Sequence, residues 1–289
     1  DLLFTSEKIE EYISGVILFD ETLRQNTTCN KKISFPELLT SKGIIPGIKV
    51  DKGAKNLEGF PNEKSTDGLD GLDERLEEYY TLGARFAKWR AVITIGDNIP
   101  SNACIHANAH SLARYASKCQ QAGIVPIVEP EVLMDGTHTL ETCNDVTNKT
   151  LKSVFHQLKM YNVMLEGIVL KPNMIISSID CPVQANIEKV ADMTYQCLQE
   201  NVPKNVPGIA FLSGGQSGDL ATSHLYVMNK KYRNNTPWNL TFSYGRALQY
   251  DALNVWSGKN ENRKMAQESF IFRAKNNSLA TFGKVAVLK

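Results

Sequence analysis

Short runs rich in Val, Ile, Leu and Phe alternate along the chain with longer stretches in which apolar residues recur at helical spacing. The short runs fall at residues 13–19, 44–49, 86–95, 123–132, 167–174, 208–213 and 238–244. Helical spacing appears between most of them, at residues 69–82, 101–121, 137–161, 184–200 and 218–230. In the first of these, Leu69, Leu72, Leu76 and the pair Tyr79/Tyr80 share one side. In the second, Ser101 stands where an N-cap is expected and Gly123 where the helix must stop. Val/Ile-rich runs separated by helices predict a parallel sheet buried on both faces. No GxGxxG or Walker-type loop follows an early strand, which disfavours an open nucleotide-binding sheet. Seven strand units are visible, one short of a closed (β/α)8 barrel. The expectation is an α/β TIM barrel whose first strand and helix are missing from this sequence, since the chain opens on a helix-like apolar segment. No low-complexity linker divides residues 1–289, so one domain is expected.

Composition narrows the function classes. Lys and Arg total 32 against 31 Asp and Glu, a net charge of +1, so bulk charge implies no nucleic-acid partner. No apolar run reaches the roughly 18 residues of a membrane span, and Asp1-Leu2-Leu3-Phe4-Thr5-Ser6 lacks the basic and apolar regions of a signal peptide. Six scattered cysteines with no CxxC pair predict reduced thiols and a cytoplasmic location. His106 and His110 have the i, i+4 spacing of metal ligands, but they lack the glutamate of HExxH and sit in a predicted outer helix. A surface or packing role is expected for them, and no metal or other cofactor is predicted.

The chemistry points to the ends of the strands. Lys171 closes the run Gly167-Ile168-Val169-Leu170, where a lysine is unusual because lysine is rarely fully buried. A desolvated lysine, or one with cationic neighbours, loses its proton more easily, and the neutral amine can form a Schiff base with a ketone. Lys49 and Lys88 hold similar positions upstream. Active sites of such barrels gather at the C-terminal ends of the strands. The polar residues there include Asp20, Glu21, Lys49, Asp51, Lys88, Arg90, Glu129, Glu131, Lys171 and Asn173, then Ser213-Gly214-Gly215-Gln216-Ser217 and Ser243-Tyr244-Gly245-Arg246. Strand alternation puts Lys88 with Arg90 on one face, and Glu129 with Glu131 on one face. Any one of these is more simply a solvated strand-end charge; the set together suggests a pocket for a multiply phosphorylated substrate. The glycine-rich segment after residues 208–213 can aim backbone N–H groups at an anion. With Gly245-Arg246 it fits the phosphate site that barrels form after their last two strands.

At these residues the sequence resembles class I fructose-1,6-bisphosphate aldolase. The matching stretches include Gly47-Ile48-Lys49-Val50-Asp51-Lys52-Gly53, Phe86-Ala87-Lys88-Trp89-Arg90 and Val128-Glu129-Pro130-Glu131. Leu170-Lys171-Pro172-Asn173-Met174, Leu212-Ser213-Gly214-Gly215-Gln216-Ser217 and Phe242-Ser243-Tyr244-Gly245-Arg246 complete the pattern. The resemblance implies that Lys171 is the Schiff-base lysine and Glu129 the acid/base for imine formation. It implies that Lys88 is the cation near the scissile bond, with Glu131 as its carboxylate neighbour. It implies that Ser213, Gly214, Ser243, Gly245 and Arg246 hold the C1 phosphate, and Lys49 and Arg90 the C6 phosphate. It further implies a sugar bisphosphate substrate, a homotetramer, and binding of actin or adhesin tails as a second role. Two departures stand out: the family's aspartate on the first barrel strand has no counterpart here, and the chain ends Ala286-Val287-Leu288-Lys289 without the family's terminal tyrosine. Two other readings compete with the aldolase. One is a cytosolic scaffold that binds acidic tails through the same basic cleft; the other is a transaldolase-like Schiff-base barrel.

Overall fold

A computed structural model describes residues 1–28 and 32–285. Cys29 and residues 286–289, part of the stretch compared with the family's tail, lie outside the described residues. In chain order the elements are β1 (Gly15–Leu18), α1 (Asp20–Arg24), α2 (Phe35–Ser41), β2 (Ile45–Lys49), β3 (Ala54–Asn56), β4 (Lys64–Thr66), α3 (Leu72–Thr81), β5 (Phe86–Ile93) and α4 (Asn102–Gln121). They continue with β6 (Val125–Val132), α5 (Leu140–Met160), β7 (Val169–Leu170), α6 (Ile187–Asn201), β8 (Gly208–Phe211), α7 (Gly218–Tyr232), β9 (Asn239–Phe242), α8 (Arg246–Trp256) and α9 (Arg263–Thr281). Seven strands form one sheet in the order β1-β2-β5-β6-β7-β8-β9, all neighbours parallel. All seven runs expected from the sequence supply a strand. The β3–β4 hairpin and helices α1, α2, α8 and α9 were not anticipated. Helix starts follow local chemistry: Ser101, Thr139, Asn186 and Ser217 each cap a helix by accepting a backbone N–H two to three residues into it.

The sheet curls. Residues 15–19, on and just past β1, and residues 242–245, which end β9 and follow it, line one common cavity with Lys49, Lys88 and Lys171, so the two end strands face each other across it. Helices cover the outside, giving the TIM-barrel architecture. Strand β5 shows how the two faces differ. Ala87, Trp89 and Ala91 point to the helix layer, where Trp89 stacks on Tyr115 at 5.5 Å. The Tyr115 hydroxyl donates to the Ala87 carbonyl at 2.7 Å, which locks α4 to the sheet. Phe86, Lys88 and Arg90 take the inner face. The Phe86 ring fills the floor, and it can do so only because Gly47 has no side chain: a Cβ there would fall 2.2 Å from the ring. Packing therefore closes the lower interior and leaves charge at the upper end.

Candidate active site

Four strands deliver one continuous network of buried charge. Glu129 on β6 lies between two lysines, with Oε1 at 3.0 Å from Lys171 Nζ and Oε2 at 3.0 Å from Lys88 Nζ. Asp51, just past β2, accepts from Lys49 Nζ at 2.6 Å and lies 3.9 Å from Lys88 Nζ. The Asp51 carboxylate also accepts backbone N–H groups of Gly53 and Arg90, each at 3.2 Å. Arg90 pairs with Glu131 through its Nε. The Glu129 side chain is 4% exposed and that of Lys171 10%, so these charges are largely removed from water. Burying charge is costly unless each ion has partners, and here every carboxylate meets a cation. Four cations face three anions, so the cluster retains an excess positive charge suited to a phosphorylated ligand.

Lys171 follows β7 directly, and its backbone N–H donates to the Val128 carbonyl at 2.8 Å. That bond fixes the lysine beside β6 and therefore beside Glu129. Burial pushes the Lys171 ammonium below the ordinary lysine range. The Lys88 cation pushes the same way, while Glu129 and Glu131 oppose it. The outcome is an amine that is easier to deprotonate yet still held in place by a carboxylate, as nucleophilic lysine chemistry requires.

The second part of the site is built from loops. Ser243 N–H donates to the Phe211 carbonyl at 2.9 Å, so the loops after β8 and β9 leave the sheet side by side. Gly214 and Gly215 adopt φ of 51° and 76°, which side-chain-bearing residues rarely do, and this turns the chain back over the end of the strand. Gly245 occupies the N-cap of α8 without a side-chain cap; Leu248 N–H donates to its carbonyl at 3.0 Å, and the N–H groups of Arg246 and Ala247 stand at the helix start, where an anion is favoured. Ser243 and Gly245 line the same cavity as Lys49, Lys88 and Lys171, a space of about 270 Å³. Arg246 is exposed at the start of α8. Ser213, Gly214 and Arg90 sit beside that cavity rather than in its wall.

Three placements differ from the strand-end pattern. Glu131 meets Arg90, whereas Lys88 meets Glu129 and Asp51, because adjacent parallel strands pair residues offset by the sheet's stagger. Asn173 turns away from the cavity. β7 ends at Leu170, so strand alternation no longer governs it, and its amide accepts from Val132 N–H at 3.1 Å and donates to Thr147 Oγ1 at 3.0 Å. Tyr244 likewise points outward and donates to the Ala221 carbonyl at 2.9 Å. Asp51 is the residue whose importance the sequence left unstated, although a carboxylate two residues beyond Lys49 was a signal for it. On α4, His106 is exposed and His110 packs on Tyr161. Among the described residues no group of three or more His, Cys, Asp or Glu is arranged to hold a metal, and the five described cysteines are free and buried.

The family model for class-I fructose-bisphosphate aldolase matches residues 1–288. A probable class 1 fructose-bisphosphate aldolase of Xanthomonas axonopodis pv. citri is 56% identical over 285 residues, covering 98% of this chain and 84% of the relative. Cytosolic fructose-bisphosphate aldolase 4 of Arabidopsis thaliana is 50% identical, covering 98% of this chain and 71% of the relative. Among solved structures, a Plasmodium falciparum fructose-bisphosphate aldolase in complex with TRAP and a small-molecule inhibitor superposes with a TM-score of 0.95 at 49% identity, covering 99% of this chain and 82% of that one. No helix among the described residues is long and apolar enough to cross a membrane.

Proposed function

The chain belongs to the class-I fructose-bisphosphate aldolase family and is a fructose-bisphosphate aldolase, and we propose that Lys171 is the amine that carries the reaction. The observation behind this assignment is the buried Lys171–Glu129–Lys88 arrangement. The neutral Lys171 amine attacks the C2 carbonyl of fructose 1,6-bisphosphate, and the resulting carbinolamine loses water as Glu129 supplies the proton. The product is an iminium. Cleavage of C3–C4 sends its electron pair into that iminium and leaves an enamine on the lysine, while the C4 hydroxyl gives its proton to the Glu129 carboxylate left by the dehydration and C4 departs as the aldehyde of glyceraldehyde 3-phosphate. Protonation at C3 and hydrolysis then release dihydroxyacetone phosphate and the free amine. Lys88 faces the developing charge near the scissile bond, and Glu131 holds Arg90 in place.

The two phosphates go to opposite sides of the cavity. Ser213, Gly214, Ser243, Gly245 and Arg246 take the C1 phosphate, through backbone N–H groups, the α8 N-terminus and one guanidinium. Lys49 and Arg90 take the C6 phosphate. A cytosolic location belongs to the same reading, since similar plant relatives are cytosolic isozymes by name. So does assembly as a homotetramer. A second role, binding acidic peptide tails or actin through the basic cleft, draws support from the Plasmodium neighbour's complex with TRAP. Competition between fructose 1,6-bisphosphate and an acidic peptide tests it, and simultaneous binding of both counts against a shared cleft. For the reaction itself, the protein is incubated with fructose 1,6-bisphosphate, reduced with borohydride and peptide-mapped. A reduced sugar-phosphate adduct at Lys171 is expected, and an adduct confined to another lysine overturns the assignment.

A further inference from the structure

His224 lies against the phosphate loop and Gln216 within it, and the reaction as described uses neither. His224, on α7, is 2% exposed, and its Nδ1 lies 2.6 Å from Gln216 Oε1. Gln216 belongs to the glycine-rich loop itself. Its Nε2 donates to the Ser213 carbonyl at 2.9 Å and reaches Met174 Sδ at 3.7 Å, while its backbone N–H donates to the same Ser213 carbonyl at 3.0 Å. One amide side chain thus ties together the loop proposed to hold the C1 phosphate, the segment that follows Lys171, and helix α7.

An amide fits this position in one orientation only. The oxygen must accept and the nitrogen must donate, because the Ser213 carbonyl is an acceptor. His224 sets that orientation: to donate to Gln216 Oε1 it must carry its proton on Nδ1. Burial also lowers the His224 pKa to about 4, so the ring is neutral across ordinary conditions and adds no charge beside the anion site.

Resting on the assignment of the glycine-rich loop to the C1 phosphate, we infer that His224 and Gln216 are positioning residues that hold this loop at the right distance from Lys171. They touch no substrate. Their effect is to preset Ser213 and Gly214 so that phosphate binding does not have to order them. The inference predicts a split between substrates with and without the phosphate.

The test is borohydride trapping at Lys171 as a function of ketone concentration, with dihydroxyacetone phosphate and with dihydroxyacetone. His224→Leu removes the donor; His224→Asn keeps a donor near the Nδ1 position. In His224→Leu, half-maximal trapping by dihydroxyacetone phosphate should need about five- to tenfold more ketone, the weight of one neutral hydrogen bond. Trapping by dihydroxyacetone should be unchanged, and His224→Asn should restore the wild-type response. Thermal unfolding of each variant shows whether it is folded, and Gln216→Leu, which removes the other end of the same hydrogen bond, should repeat the split. Equal loss with both ketones, or no loss with either, overturns the inference. Absence of any adduct at Lys171 in the wild-type protein overturns instead the assignment on which it rests.

Discussion

The strand-built and loop-built halves of the cavity hold charge in different ways. On one side β5 and β6 run together for eight residue pairs and present Lys88, Arg90, Glu129 and Glu131 as side chains already paired with each other or with Lys171. On the other, β8 and β9 are four residues each and give way to loops that present glycines, open N–H groups and an exposed arginine. In the paired half every carboxylate is matched by a cation and one positive charge is left over, and its groups are fixed relative to one another. That suits moving protons and electrons at a set point. The loop half is wetter and carries few anions. It suits gripping a dianion that brings its own charge. The contrast teaches that changes at Lys171, Glu129 and Lys88 should be read mainly in kcat, and changes to the loop half in KM.

The largest effect should come from Lys171→Arg. It keeps a cation beside Glu129, but a guanidinium stays protonated and cannot form an imine. Cleavage should fall to background while fructose 1,6-bisphosphate still binds, which isothermal titration can measure. Persistent turnover would falsify the role given to Lys171. Next comes Glu129→Gln, which removes the proton carrier and should lower kcat by roughly 10²–10⁴-fold with a smaller change in KM. Arg246→Ala acts on the other half. Steady-state kinetics should show KM for fructose 1,6-bisphosphate rising about tenfold, the weight of a charge-assisted hydrogen bond at an exposed site, with kcat nearly kept. If Arg246→Ala lowers kcat more than it raises KM, the division of the cavity into two halves is wrong.

The same division marks what the sequence could reveal. Runs of Val and Ile announce strands, and a charge at the end of such a run announces a rim, so Lys49, Lys88, Glu129 and Lys171 were legible as a set. Their partners were not. Whether Glu131 meets Lys88 or Arg90 depends on the stagger between β5 and β6, a property of the closed sheet and of no single segment. Asn173 was misplaced on the rim for a related reason. Alternation applies only within a strand, and β7 stops at Leu170. Asp51 stood in the rim pattern without a role because its four partners come from β2, β5 and the turn after β2. On the loop side, glycines advertise a phosphate-type turn, but the brace runs from His224 on α7 to Gln216 in the loop that precedes that helix and leaves no periodic trace.

The smallest effect is also the most specific to the paired half, because it concerns how two neighbours set the proton affinity of one amine. Burial lowers the Lys171 pKa, the Lys88 cation lowers it further, and the Glu129 anion raises it. Lysine reacts with acylating reagents only as the neutral amine, so labelling of Lys171 by a small anhydride, read by peptide mass against pH, should reach its midpoint below that of the exposed lysines. The two substitutions then pull in opposite directions. Lys88→Met removes a neighbouring cation, makes the ammonium easier to keep, and moves the midpoint to higher pH. Glu129→Gln removes the stabilising anion and moves it to lower pH. Desolvation alone cannot produce shifts of opposite sign from two substitutions that leave the burial of Lys171 nearly unchanged. If both variants shift the midpoint the same way, or neither shifts it, the amine is tuned by burial and not by the pairs, and the strand-built half loses the property that separates it from the loops.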